Sequence, residues 1–372
     1  MVRQQLPQLN KAQATVLALW SFGMVLGQSS GLTSVTRVIA ELTKQKEANV
    51  RQRLREWNRD RDDKAGSQRQ EVAVESCFVP LLKWVLAWWA VDEQRMVLAM
   101  DATSLGDRFV VLAISVIYRG CAIPIAWCVT ASGQKRAWKA EWLRLFGRLQ
   151  PAIPAGWQVL VMADRGLYAQ WLFQAIRKLD WHPFLRINPN GKYCLSGSNQ
   201  FFPMQQLVWG VGCEWSGAVT CFKSRPVTGS LLIRWQTGYQ DPWVILTDLP
   251  VAQAQVAWYG LRAWIECGFR QTKRAGWHWQ RTRMTDPARA ARHWLAMAVA
   301  TLWVVSVGGE VDCHLPASSL DPFPAFSPML RPKHRPRLLS CFRQGLLSII
   351  VALVAHRPLP FGRFLCPYDT VF

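Results

Sequence analysis

The stretch from residue 96 to residue 187 constrains the fold most. Met96 to Met100 is a continuous apolar run that stops at Asp101. Arg108 to Tyr118 and Cys121 to Val129 follow as β-rich runs, separated by the turn signal Arg119-Gly120. Helix-period residues from Ala137 to Leu149 come next, then a second apolar strand from Gln158 to Ala163 that stops at Asp164. A helix from Tyr168 to Leu179 and a short strand from Pro183 to Ile187 close the stretch. Strand, strand, strand, helix, strand, helix, strand predicts a mixed sheet with helices on its faces, an α/β layout.

The flanks read differently. Residues 1–90 predict an all-helical domain, with helices over Lys11 to Leu26, stopped by Gly27, then Ser34 to Leu42 and Lys46 to Asn58. In the third of these, Arg51, Arg55 and Arg59 recur every four residues, with Val50, Leu54 and Trp57 on the opposing side. Three short helices with a basic last one resemble a helix-turn-helix, whose final helix enters the major groove. A plain solvated basic face has the same pattern. Asp60 to Gln70 is polar enough for a linker, and a short apolar helix ends near Val91.

The α/β unit occupies residues 91–189 and resumes over 251–310. Between its halves, residues 190–250 form Gly-punctuated short strands such as Ser230 to Thr237 and Trp243 to Thr247, a β-rich insertion. Two helices, Val251 to Arg274 and Asp286 to Val307, complete the unit. Residues 311–372 hold an irregular connector, with six prolines between Pro316 and Pro336, and a final amphipathic helix from Arg337 to Ala355.

Charge narrows the class of partner. Forty-four Lys and Arg against 24 Asp and Glu leave a net charge of +20, which suits a polyanion: nucleic acid first, an anionic membrane second. Half the residues are hydrophobic, which excludes global disorder. The longest uncharged apolar run, Trp294 to Gly309, is 16 residues, short of the ~20 that cross a bilayer, so a buried core helix is expected. The ten cysteines are scattered singly with no C-x-x-C spacing, and the first residues lack the apolar stretch of a signal peptide. A reducing, cytoplasmic setting is expected.

Asp101 and Asp164 are each the first charge after a buried-looking strand. Ligands of α/β sheets gather at the carboxyl ends of strands, so the two acids are either turn caps or the floor of a metal site. A third acid stands on the helix after the insertion. Tyr259, Arg262, Glu266 and Lys273, wound at about 100° per residue, fall in one stripe about 60° wide, and Arg270 joins it. Leu261, Trp264, Ile265 and Phe269 occupy the other side and are expected to pack on the sheet. One Glu among three cations and a phenol fits a metal ligand among phosphate binders.

Tyr259-x2-Arg262-x3-Glu266-x6-Lys273 resembles the Y-(2)-R-(3)-E-(6)-K signature of DDE transposases from bacterial insertion sequences, in the branch with a β-strand insertion. Met100-Asp101-Ala102-Thr103 is similar to the family's first-acid motif and Ala163-Asp164-Arg165-Gly166 to its second. The resemblance covers roughly Val97 to Val307. It implies a ribonuclease H-like catalytic domain in which Asp101, Asp164 and Glu266 are catalytic and hold two Mg²⁺ ions, with Mn²⁺ able to substitute. It implies double-stranded DNA as partner, both the terminal inverted repeats and the target, with Tyr259, Arg262 and Lys273 among the phosphate contacts. Arg270, from its place on the same stripe, and Arg51 and Arg55, from the basic face of the third helix, are further expected DNA contacts. Trp243 opens a W-x3-T-x2-P pattern with Thr247 and Pro250, which in such relatives fills the gap left by a flipped base. Water frees a 3′-hydroxyl, which attacks the opposite strand or target DNA; two ends imply a homodimer in a synaptic complex, associated with the bacterial nucleoid and not with a membrane. A nuclease of the same fold without strand transfer, and an inactive domesticated DNA-binding relative, are the alternatives.

Other candidates are weaker. His278 and His293 could line the site or be surface and core residues. Asp107 reads as a turn acid. Arg281, Arg283, Arg289 and Arg292 extend a basic track or a solvated face, and Arg331, Lys333, Arg335 and Arg337 contact DNA or keep the connector soluble.

Overall fold

The computed structural model describes residues 1–65, 69–133, 138–313, 339–365 and 367–368. The N-terminal part is helical: α1 (Val2–Gln5), α2 (Lys11–Gly27), α3 (Leu32–Thr43) and α4 (Glu47–Trp57). A reciprocal capping box between Asn10 and Gln13 opens α2. Its left-handed terminator is Gln28, at φ 45°, and not Gly27, which remains helical. On α4, Val50, Leu54 and Trp57 are buried while Arg51 and Arg55 are exposed, as the four-residue pattern requires.

Downstream, α5 (Phe78–Ala87) leads into β1 (Arg95–Leu105), β2 (Phe109–Tyr118) and β3 (Cys121–Ala131). These three strands are antiparallel. Arg119 (φ 41°) and Gly120 (φ 77°) make the two-residue hairpin between β2 and β3, the left-handed pair that such turns need. Asp312 holds the Arg119 guanidinium there at 2.7 Å. Next, α6 (Lys139–Leu149) crosses to β4 (Gln158–Ala163), which runs parallel to β1, and α7 (Gln170–Arg177) crosses to β5 (His182–Arg186), parallel to β4.

The insertion does not stand apart from this sheet. Its strands are β6 (Lys192–Leu195), β7 (Phe202–Pro203), β8 (Glu214–Cys221), β9 (Val227–Arg234) and β10 (Trp243–Thr247). Because β10 adds antiparallel to the open edge of β5, with Ile245 opposite Arg186, all join one ten-stranded sheet, ordered β3-β2-β1-β4-β5-β10-β9-β8-β6-β7.

The expected continuous helix over Val251 to Arg274 is corrected. The segment is a 3₁₀ turn (Val251–Gln253), a longer 3₁₀ stretch (Val256–Ala263), the short helix α8 (Trp264–Arg270) and a π turn (Gln271–Ala275). Thr272 Oγ1 donates to the Gly268 carbonyl at 3.0 Å, a back-bond of the kind that bends helices. Gly268 lets this element press onto β3, since a Cβ there would lie 2.8 Å from the Ala122 side chain.

Two long helices finish the core, α9 (Pro287–Cys313) and α10 (Cys341–Val354). Helix α9 is longer than its uncharged run, 27 residues, and by length and composition alone could cross a membrane; 83% of its most apolar window is buried inside the protein. It crosses α10 at Gly308 and Gly345, where added Cβ atoms would meet main-chain carbonyls at 1.8 Å. The last helix begins at Cys341, where the Ser340 side chain caps it by accepting from the Arg343 amide, and not at the expected Arg337. The proline-rich connector and Arg331, Lys333, Arg335 and Arg337 lie outside the described residues.

The N-terminal helices share a core with α9. Ser21 Oγ donates to the Ala296 carbonyl at 3.1 Å, Trp57 Nε1 to the Arg292 carbonyl at 3.1 Å, and Trp20 meets His293 edge-on at 5.2 Å. The polar stretch read as a linker is anchored at both ends. Asp60 and Glu71 bind the buried Arg292 at 2.7 and 3.2 Å, and Arg289 pairs with Asp63. Arg292 is thus an internal residue, and Arg289, though partly exposed, is paired with acids and is not part of an open basic track.

His293 is completely buried, and desolvation pushes its imidazole down to about 4 from 6.5. The unfolded chain therefore takes up a proton near pH 6.5 that the folded chain refuses until about pH 4. Stability contributed by the neutral ring is full above pH 6.5 and falls through that window by about 1.4 kcal/mol per pH unit. Urea unfolding at pH 7 and pH 4.5 is expected to show this loss in the wild type and a clearly smaller one in His293→Leu.

Candidate active site

The parallel pairing of β1 with β4 ends at Ala99 and Met162, and both strands then deliver an acid. Asp101 lies two residues on. It does not end its strand, as read from the apolar run, because β1 stays paired with β2 as far as Leu105 opposite Phe109. Asp164 follows β4 directly and caps the short turn Arg165–Leu167, its Oδ1 accepting from the Arg165 amide at 2.6 Å. Asp101 Oδ1 accepts from the Ala102 amide at 2.8 Å. Glu266 comes from the first turn of α8.

All three carboxylates meet one guanidinium. Arg262 Nη2 is 2.7 Å from Asp101 Oδ2 and 3.8 Å from Asp164 Oδ2, and Nη1 is 2.5 Å from Glu266 Oε1. The Arg262 side chain is only 11% exposed, against 41% for Asp164 and 62% for Glu266. Burial raises the Asp101 carboxyl above its ordinary range; Arg262 opposes that, while Asp164 and Glu266 add to it. For Arg262, burial disfavours the charged form, but Asp101 and the other acids hold it above its ordinary value. One cation shared by three anions is what like charges gathered in a half-buried notch require.

The remaining expected residues divide. Tyr259 is buried, and its hydroxyl donates to the Ala163 carbonyl at 3.4 Å, beneath the acids; burial raises that hydroxyl well above its usual range. Trp243, half-buried at the start of β10, sits edge-on between Tyr239 at 5.5 Å and Tyr259 at 5.2 Å. Lys273 is half-buried in the π turn and, among the described residues, makes no ion pair with the acids; burial and Arg274 lower its pKa. Arg270 is exposed, with Nη2 3.2 Å from Cys267 Sγ on its own helix. The single stripe is corrected, since 3₁₀ and π winding depart from 100° per residue on either side of α8. Arg51 donates to Thr33 Oγ1 at 3.1 Å and lies, with Arg55, on the exposed face of α4. Asp107 is exposed in the β1–β2 turn, and His293 is a core residue.

Two residues near the acids were missed. Arg165, next to Asp164, and Arg186, ending β5, both face Asp241 Oδ2, at 3.4 and 4.0 Å, and Arg186 also donates to the Pro242 carbonyl at 3.0 Å. They tie the loop before Trp243 to the Asp164 turn. A cation beside a strand-end acid was the available signal.

The donor set fits a divalent cation in kind, being three hard carboxylate oxygens carrying three negative charges against one positive. Among the described residues, no three acid, His or Cys groups stand ready to hold an ion; each of the three carboxylates faces Arg262 instead. Residues 123–303, from β3 into α9, match a family model described as "Transposase DDE domain". That span, a little under half the chain, includes Asp164, Arg262, Glu266 and Lys273 and begins after Asp101. The match supports a DDE transposase. No curated protein matches the chain.

Tyr259 supplies a test of which of its groups the fold needs. Tyr259→Phe loses only a long hydrogen bond and is expected to cost under about 1 kcal/mol, whereas Tyr259→Ala empties a buried ring site beside Trp243 and is expected to cost about 3–5 kcal/mol, both read by urea unfolding.

Proposed function

We propose that this protein is a DDE transposase that binds the terminal inverted repeats of its own element, cuts DNA there and joins the freed ends to a target. The observation that carries the reading is the meeting of Asp101, Asp164 and Glu266, from three separate elements, beside the carboxyl end of the β1–β4 pairing. The transposase-domain match supports it. The order β3-β2-β1-β4-β5, three antiparallel strands followed by two parallel ones, supports a ribonuclease H-like core, extended by the insertion strands.

Asp101, Asp164 and Glu266 are the residues that would hold divalent cations, Mg²⁺ or in its place Mn²⁺. Bound there, such ions activate an attacking oxygen and stabilise a leaving one in phosphodiester chemistry. The chain's own cations do the positioning. Arg262, Arg270 and Lys273 offer charge-assisted hydrogen bonds to backbone phosphates. Arg51 and Arg55, on the open face of α4, track the duplex and contribute to a salt-dependent affinity that the +20 charge favours. Trp243, edge-on to Tyr239 and to Tyr259, would fill the gap left by a displaced base. Cutting and joining two ends calls for two copies of the chain, and Leu347, Val351 and Val354 form an exposed apolar stripe on α10 suited to such a contact.

The test is cleavage of a duplex carrying the terminal repeats that flank the coding sequence, with Mg²⁺ present. Wild-type protein is expected to release 3′-hydroxyl ends and join them to target DNA. Asp101→Asn, Asp164→Asn and Glu266→Gln are each expected to slow cleavage by about 10²-fold or more. Cleavage that survives Asp101→Asn at the wild-type rate refutes the reading, and cleaved ends without joined product leave a nuclease.

A further inference from the structure

We infer that Arg262 is a built-in surrogate cation: in the free protein its guanidinium holds the three carboxylates in place of divalent ions, and it must leave before they can load. The inference rests on the reading of Asp101, Asp164 and Glu266 as cation ligands. What it adds is that this chain keeps its own site closed to metal by means of one side chain.

An inventory of oxygens carries the argument. Both oxygens of Asp101 are engaged, one by the Ala102 amide and one by Arg262. Both oxygens of Asp164 face nitrogen, one the Arg165 amide and one the same Arg262 Nη2. Glu266 gives Oε1 to Nη1. A cation taking one oxygen from each aspartate therefore shares it with Arg262 or with a turn amide, while for Glu266 it is Oε1 that faces the guanidinium. It would also sit beside a positive charge that is mostly shielded from water.

The guanidinium itself is incompletely satisfied. Its Nε is buried with no acceptor among the described residues, so only the Nη edge is bound, and every one of its ion pairs is to the acids. A buried donor left without an acceptor is costly and calls for a reason, such as strain or a catalytic role. Arg262 also lies on the 3₁₀ stretch Val256–Ala263, just before the α-helical turns that carry Glu266. A phosphate accepting from the whole fork, Nε included, is the chemistry that draws such a group away. Phosphate capture by Arg262 and cation loading then favour one another, because a site open in only a fraction of molecules binds its ligand more weakly by that fraction.

The test is Mn²⁺ binding without DNA, followed by electron paramagnetic resonance of the free ion on the full chain. Arg262→Gln is expected to bind Mn²⁺ at least about ten-fold more tightly than the wild type. Arg262→Lys keeps a charge but loses the fork, and is expected to tighten binding by a smaller factor; it also serves should the Gln variant fail to fold. Binding in either folded variant that equals or is weaker than wild type overturns the inference. Adding Asp101→Asn to Arg262→Gln is expected to abolish the gain. A gain that persists in the double variant places the ion elsewhere and refutes the reading of the three acids along with the inference.

Discussion

Three carboxylates brought into one notch repel one another, and the guanidinium of Arg262 is what allows them to stay there. Each acid arrives from a different source: the middle of β1, the turn after β4 and the first turn of α8. The site depends on the sheet for the first two and on an irregular helix for the third. The 3₁₀ stretch before α8 places Arg262 among the acids while Tyr259, three residues earlier, goes under them to the Ala163 carbonyl. The charge balance and the backbone geometry are therefore one problem, solved together.

Around this centre the chain binds itself together with more ion pairs and aromatic edges than its domain pattern suggests. Arg292, buried in α9, draws Asp60 and Glu71 onto the core, so the polar stretch after α4 acts as a strap. Asp312 on the same helix steadies Arg119 in the left-handed hairpin turn. Near the C-terminus, Tyr368 donates to the Ile117 carbonyl and accepts from the Val97 amide, fastening the last described residues to the sheet that carries Asp101. Helix α9 reads as membrane-like by composition because helices, sheet and α10 all bury it.

Much of this was legible in local pattern. Apolar runs broken by turn residues gave the strands and crossing helices to within a few residues, since a strand's period and a turn's need for left-handed backbone are written in neighbouring positions. The basic face of α4 was legible for the same reason. The winding of residues 251–275 was not, because an α wheel assumes 100° per residue and nothing local announced 3₁₀ and π turns on either side of α8. The Asp241 tie to Arg165 and Arg186 escaped as well, being a pairing across distant segments.

By itself, the sequence determined the α/β order, the two aspartates that follow apolar strand runs and the spacing of Arg262 and Glu266, because these follow from short-range periodicity and residue chemistry. Only the tertiary structure decided that the insertion strands extend the central sheet through β10, that Arg292 is buried and draws acids from a distant segment, and that one guanidinium sits among all three acids. Each of those outcomes depends on which surfaces meet after the chain has folded. Hydrogen-bonding edges and charges choose partners by distance in space, which a linear pattern does not carry.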